Sequence, residues 1–338
     1  MTELLIPAEW APHKALWTCW PSDGDLWLDN LAPARAEVAA MVAALVREGP
    51  DGALGDTVHV LAAGQAACDS AKAHLPACVH IHNVPFGDIW LRDTGPIFAT
   101  GPQGKRAIRF AFNGWGGKYE LDGDDSVGDA VAALAQVPVT RADFVLEGGA
   151  VEHDGVGTIL TTRQCALNPN RNVTWTMDDA ERHFAQALGA RKVLWLQDGL
   201  RNDHTDGHID NIARFVGPAR VMIMEAFGQD DPNAEVYAAI ATDLATMSDA
   251  QGQALEIIKI PSPGLVTNED GDVVPASHLN FIIGNASVVV PHYGTASADA
   301  ALRAIAQAFP SRRVVGVNST ALLSGGGSFH CITQQEPA

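Results

Sequence analysis

The chain has 338 residues, is 47% hydrophobic and carries a formal charge of −18 from 22 basic and 40 acidic side chains. That size and apolar content suit a globular protein with a large core, and the acidic excess argues against nucleic acid as a partner, because phosphate needs the opposite sign. No apolar run approaches the roughly 18 residues of a membrane span, and the opening MTELLIPAEW lacks the basic and apolar regions of a secretory signal, so a cytoplasmic protein without membrane contact is expected.

In chain order, apolar spacing and acidic or proline starts predict helices over 32–47, 126–136, 177–188, 232–248 and 298–309. Short β-rich runs stand at VHVLAA, KVLWL, LEIIKI and RVVGVN. Paired strands broken by turn signals read as hairpins in DTGPIFATGPQGKRAIRFAF, GGAVEHDGVGTILTT, HIDNIARFVGPARVMIM and SHLNFIIGNASVVVP. Helix, strand and hairpin thus recur at intervals of roughly 50 to 70 residues, which points to a radial or stacked architecture.

The last segment, SFHCITQ, reads as one strand after a GGG turn, and its natural partner is the N-terminal HKALWTCWP. Pairing the two would close a ring and remove an exposed edge. An open doubly wound sheet for nucleotide binding is disfavoured, since no GxGxxG follows an early strand.

Polar residues gather at the start of each predicted hairpin: Asp88 and Asp93 in GDIWLRDTGP, Glu147 in LEGG, His208 and Asp210 in TDGHID, Ser277 to Asn280 in SHLN, and His330 with Cys331. Singly, each has a plain explanation as a turn or strand-end residue. Together they suggest a site. On a strand, His204, Asp206, His208 and Asp210 would form one row, a ligand set for a divalent ion. On the same strand logic His330 faces away from Cys331.

The five cysteines, Cys19, Cys68, Cys78, Cys165 and Cys331, are odd in number and form no CxxC pair. Beside a histidine and several carboxylates, Cys331 has the parts of a nucleophile for a planar, cationic carbon. Guanidinium fits, because two carboxylates can hold its fork of N–H donors while the sulfur attacks its centre.

The segments PAEWAPHKALWTCWP, DIWLRDTGP, FNGWGG, LEGG, TDGHIDNIARF, LNF with VVVPHYG, and GGGSFHCITQQ follow the order seen in agmatine deiminases. From residue 7 to 335 the chain resembles that family of the guanidine-modifying pentein superfamily. The resemblance implies a five-fold pseudosymmetric α/β propeller and one catalytic domain over residues 1–338. It implies that Cys331 forms an amidino-cysteine intermediate, that His208 is general acid and base, that Asp93 and Asp210 bind guanidinium nitrogens, and that Glu147 orients His208. Trp90 and Trp115 would line the substrate channel.

Agmatine would become N-carbamoylputrescine and ammonia in a polyamine route, with neither metal nor organic cofactor. A homo-oligomer, dimer or tetramer, is expected. The chain departs from the family pattern at His278 and Ser328, which bears on the distal end of the substrate. Free or peptidyl arginine would need a cation for its carboxylate, and Arg171 in NPNRN is a candidate beside its structural reading.

Overall fold

Sixteen strands are distributed over five sheets in the computed structural model, which describes residues 4–338. Four sheets repeat one plan. In the first of them, β4 (Ile97–Gly101) and β5 (Gly104–Ala111) form an antiparallel hairpin, helix α3 (Val127–Ala135) crosses over, and β6 (Val139–Val145) joins β5 in parallel. The same order links β7 (Glu152–His153), β8 (Thr158–Thr162), α4 (Met177–Leu188) and β9 (Lys192–Leu196). It recurs in β10 (Ala213–Gly217), β11 (Arg220–Glu225), α5 (Ala234–Leu244) and β12 (Glu256–Pro261). The fourth set is β13 (Ile282–Ile283), β14 (Ser287–His292), α6 (Ala298–Ala308) and β15 (Arg313–Asn318).

The fifth sheet is split across the chain. β16 (Thr333–Pro337) pairs antiparallel with β1 (His13–Cys19), α1 (Leu31–Leu45) follows, and β2 (Val58–Ala62) runs parallel to β1. Helix α2 (Gln65–His74) then leads to an additional parallel strand, β3 (His80–Asn83). The expected pairing of the terminal strands is present, but within one sheet. The five sheets are separate hydrogen-bonded units and none closes on itself.

Local chemistry accounts for these elements. α4 begins with a reciprocal capping box between Thr176 and Asp179 and ends at Gly189, whose positive φ of 71° permits a left-handed stop. Its buried face is Ala180, Phe184 and Leu188, spaced by four as a helix lying on a sheet requires. The helices α1, α3, α4, α5 and α6 fall within a few residues of the ranges read from sequence, whereas α2 was not anticipated. Its QAACDSAKAH has a weak apolar stripe of Ala67, Cys68 and Ala71.

Each hairpin is preceded by a tight, buried turn. These are the short helices Leu91–Thr94 before β4, Gly148–Ala150 before β7 and Ile209–Asn211 before β10, with Ser277–Asn280 before β13 and Phe329–Ile332 before β16. These five turns, with the residues that lead into them, supply the polar residues singled out by the sequence. Two placements differ from expectation. TDGHID is not strand, because Asp206 (φ 63°) and Gly207 (φ 85°) are left-handed and break any extended run. Cys331 also lies in a turn, closed by the Thr333 N–H donating to the His330 carbonyl at 3.1 Å. Among the described residues, no helix is long and apolar enough to cross a membrane.

Candidate active site

Cys331 sits at the floor of a cavity of about 40 Å³ lined by Trp90, Asp93, Trp115, Tyr119, His204, Thr205, Gly325 and Gly326. The cavity shares Trp90, Trp115, Tyr119, His204 and Gly325 with a wider outer cleft of about 600 Å³. The expected channel aromatics Trp90 and Trp115 are therefore on its wall. Trp115 is held in a left-handed conformation, φ 53°, and its Nε1–H donates to Asp93 Oδ2 at 2.9 Å. Trp90 is fixed from behind: its Nε1–H donates to Asp88 Oδ2 at 2.6 Å, and Trp27 Nε1–H donates to Oδ1 at 3.0 Å. Asp88 is a buried anchor rather than a strand-end residue.

Asp93 is completed by the Gly149 N–H, 2.9 Å from Oδ1. His208 Nδ1 lies 3.8 Å from the same oxygen. A Cβ built on Gly149 would come within 2.5 Å of His208 Nδ1, 2.9 Å of Asp93 Oδ1 and 3.1 Å of Asp210 Oδ2, so the second glycine of LEGG is where these three side chains meet. Gly327 plays the same part on the other side, since a Cβ there would be 2.6 Å from the Trp90 ring and 3.2 Å from Cys331 Sγ.

Cys331 Sγ is 3.8 Å from Asp210 Oδ2 and accepts a hydrogen bond from Asn280 Nδ2 at 3.1 Å. Asn280 Oδ1 in turn accepts from the backbone N–H of His330 at 3.0 Å and of Cys331 at 3.3 Å. Asn280, the Asn of LNF, thus cradles the thiol, a role the sequence reading did not single out. His330 does not point away as strand alternation suggested. It is buried, with Nδ1 2.7 Å from Asp210 Oδ2 and Nε2 3.0 Å from Glu9 Oε2. The turn at 329–332 removes the alternation on which the expectation rested.

The electrostatics are set by burial. Desolvation, with the nearby Asp210 and Asp93 carboxylates, pushes the Cys331 thiol well above its usual value. Burial would lower His208, but Asp93, Cys165 and Glu147 outweigh it, and the imidazole stands well above its ordinary pKa. Burial also raises Asp93 against the pull of His208. Asp210 goes the other way, because the His330 hydrogen bond overcomes desolvation. Both ring nitrogens of His208, and Oδ1 of Asp210, are buried without a hydrogen-bond partner. Such groups are costly unless a ligand satisfies them.

Glu147, Cys165 and His208 bring their ligand atoms within 4.8 Å of one another. Glu147 Oε1, however, accepts from Arg171 Nε at 2.6 Å. Arg171 also pairs with Asp206 at 2.6 Å and is buried, so its structural reading applies. The row of His204, Asp206, His208 and Asp210 does not assemble. Asp206 is engaged by Lys118 and Arg171, and His204 Nδ1 by the Tyr119 hydroxyl at 3.1 Å. His278 stacks on Tyr293 and Ser328 Oγ meets Ser319 Oγ at 2.7 Å; both are buried, and neither lines the cavity.

Comparison with known proteins identifies the family. A family model described as Porphyromonas-type peptidyl-arginine deiminase matches residues 5–337. The agmatine deiminase of Stutzerimonas stutzeri is 36% identical, over 98% of this chain and 95% of that protein. A structure of Enterococcus faecalis agmatine deiminase superposes with a TM-score of 0.92 at 32% identity, covering 99% of this chain and 96% of that one. The C. jejuni agmatine deiminase, 22% identical, shares the fold with a TM-score of 0.83, covering 100% and 97%. The chain therefore belongs to the Porphyromonas-type peptidyl-arginine deiminase family and is a full-length relative of agmatine deiminases.

Proposed function

We propose that the protein hydrolyses the guanidinium group of agmatine to N-carbamoylputrescine and ammonia, with Cys331 as the nucleophile. One observation carries this reading: the Cys331 thiol, the Asp93 and Asp210 carboxylates and an unpartnered, buried His208 converge beneath an aromatic-lined cavity. A buried set of carboxylates whose free oxygen has no partner is matched by a cation with several N–H donors.

The resting thiol is neutral, because burial and two carboxylates oppose its ionisation. A guanidinium placed between Asp93 and Asp210 brings the missing positive charge, and the thiol then loses its proton to solvent through the cavity. The thiolate adds to the central carbon, which the two carboxylates have already oriented. His208, held protonated by the surrounding carboxylates, gives its proton to the departing nitrogen, and ammonia leaves. The ring, now neutral, takes a proton from the water that attacks the thiouronium carbon. The C–S bond breaks with its electron pair returning to sulfur, the hydroxyl proton of the tetrahedral carbon passes to that sulfur to restore the thiol, and the ureido product departs. Glu147 is paired with Arg171 and adds to the field that holds the His208 proton.

The amine end of the substrate would lie in the outer cleft between Trp90 and Trp115. Lys118, which lines that cleft, and the buried Arg171 are already committed. Arg171 is bound by Glu147 and Asp206, and Lys118 by Asp206 and the His204 carbonyl. A carboxylate on the substrate would find no free partner among them, which favours agmatine over free or peptidyl arginine. The same proposal takes the five repeated sheets as the blades of an α/β propeller, working as one catalytic domain, cytoplasmic and homo-oligomeric.

The test is ammonia release from agmatine and from arginine by wild type and Cys331→Ser, with and without chelator. Expected are turnover of agmatine, little of arginine, no effect of chelator and no activity in Cys331→Ser. Undiminished turnover in Cys331→Ser would sink the mechanism, and loss on chelation would favour metal-dependent hydrolysis.

A further inference from the structure

A chain of buried ionic contacts runs behind the site, away from the cavity. Arg214 is fully buried, pairs with Glu9 and Glu152, and donates to the carbonyls of Leu279 at 3.0 Å and Phe281 at 2.7 Å. Glu9 accepts from the Ile283 N–H at 2.8 Å and meets His330 Nε2 at 3.0 Å. His330 meets Asp210 Oδ2 at 2.7 Å. The backbone of His330 is independently fixed, since its N–H donates to Asn280 Oδ1 at 3.0 Å.

The imidazole of His330 therefore has two side-chain contacts, one carboxylate at each nitrogen. Ionised carboxylates only accept hydrogen bonds, so each contact is one that a ring N–H of His330 would make. Glu9 is held ionised: burial opposes it, but Arg214 and His330 prevail. The consequence falls on Asp210. Its Oδ2 is occupied by the ring, its rotamer is fixed, and Oδ1 is left as the buried oxygen with no partner.

We propose that His330, held by Glu9, is the positioning residue that fixes Asp210 with one oxygen free for the guanidinium, an inference that rests on the deiminase reading above. His330 does not touch the substrate. It keeps the Asp210 carboxylate ionised and aimed in a dry site, where an unpaired charge would otherwise take up a proton or turn away. The bridge also ties the N-terminal segment carrying Glu9 to the turn carrying Cys331, so part of the substrate clamp is built by residues 321 positions apart.

The experiment measures the dissociation constant of agmatine by calorimetry in a Cys331→Ser background, beside ammonia release by the wild type. His330→Gln is expected to weaken binding about tenfold, and Glu9→Gln about threefold, at the scale of a charge-assisted contact. In an Asp210→Asn background, the His330→Gln change should add less than about twofold, because both act on one clamp. A purely structural role would lower the melting temperature and leave the coupling at zero. Should His330→Gln fail to fold, Glu9→Gln carries the same cycle. Binding unchanged in the folded variants, or effects that add in full, overturn the proposal. Absence of ammonia release by the wild type would instead overturn the deiminase reading, and the binding cycle still reads the clamp.

Discussion

At the scale of single residues, the site keeps both its thiol and its neighbouring imidazole protonated before a substrate arrives. Cys331 is held as a thiol by burial and by Asp210 and Asp93, while His208 is held protonated because Asp93, Cys165 and Glu147 outweigh its burial. The pH dependence follows from these signs. A raised thiol pKa means that the reactive thiolate grows with pH in the free enzyme. A raised imidazole pKa means that the acid needed for ammonia departure survives past neutrality. With both pKa values raised, kcat/KM for agmatine should therefore rise with pH through neutrality and fall only once His208 is deprotonated, above the ordinary imidazole range. A profile that declines steadily above pH 6 contradicts this assignment. A binding clamp made only of surface carboxylates would show no such alkaline limb.

At the scale of elements, the site is a set of five pre-hairpin turns, and its glycines give the sharpest handle. Gly149 lacks the positive φ that would bar an alanine, yet an added Cβ would meet His208, Asp93 and Asp210 together. Gly149→Ala should therefore leave the melting temperature within a few degrees but lower kcat/KM by about a hundredfold, as for displacement of one oriented catalytic group. Activity near wild type in the folded variant contradicts the convergence described here.

Strand periodicity and turn signals made the hairpins and the cross-over strands legible, since KVLWL and RVVGVN coincide with β9 and β15. The positions of Asp93, Glu147, His208, Asp210 and Cys331 at hairpin starts were legible for the same reason. Their local conformation was not. The left-handed Asp206 had a cue in the Asp206-Gly207 pair, a turn signal that a strand reading of TDGHID passes over. His330 was misplaced by assuming that SFHCITQ is strand throughout, and Glu9 was invisible because its partners, His330 and Arg214, are far away in sequence.

At the scale of the whole molecule, the two ends of the chain meet at a buried carboxylate. Glu336 on β16 accepts from Lys14 Nζ at 2.9 Å, Lys105 Nζ at 3.0 Å and Trp17 Nε1 at 3.2 Å. Lys105 belongs to β5, so this one side chain joins the sheet that contains the terminal strands β1 and β16 to its neighbour. Removing it leaves the Trp17 indole N–H unpaired and takes from Lys105 its carboxylate partner, with the Pro337 carbonyl remaining. Glu336→Ala should cost about 3 kcal/mol, the low end for a buried pair because Lys14 is largely exposed. A fall in melting temperature of roughly 5 °C or more is expected. A change within about one degree would show that terminal pairing does not depend on this contact.

The central claim is that Cys331 attacks the guanidinium carbon and holds it covalently. Its most direct test is the intact mass of enzyme quenched in acid during agmatine turnover. An adduct on Cys331 with the mass of agmatine less ammonia is expected, absent from Cys331→Ser. Sustained turnover with no adduct at any quench time, and with Cys331→Ser as active as wild type, would contradict it.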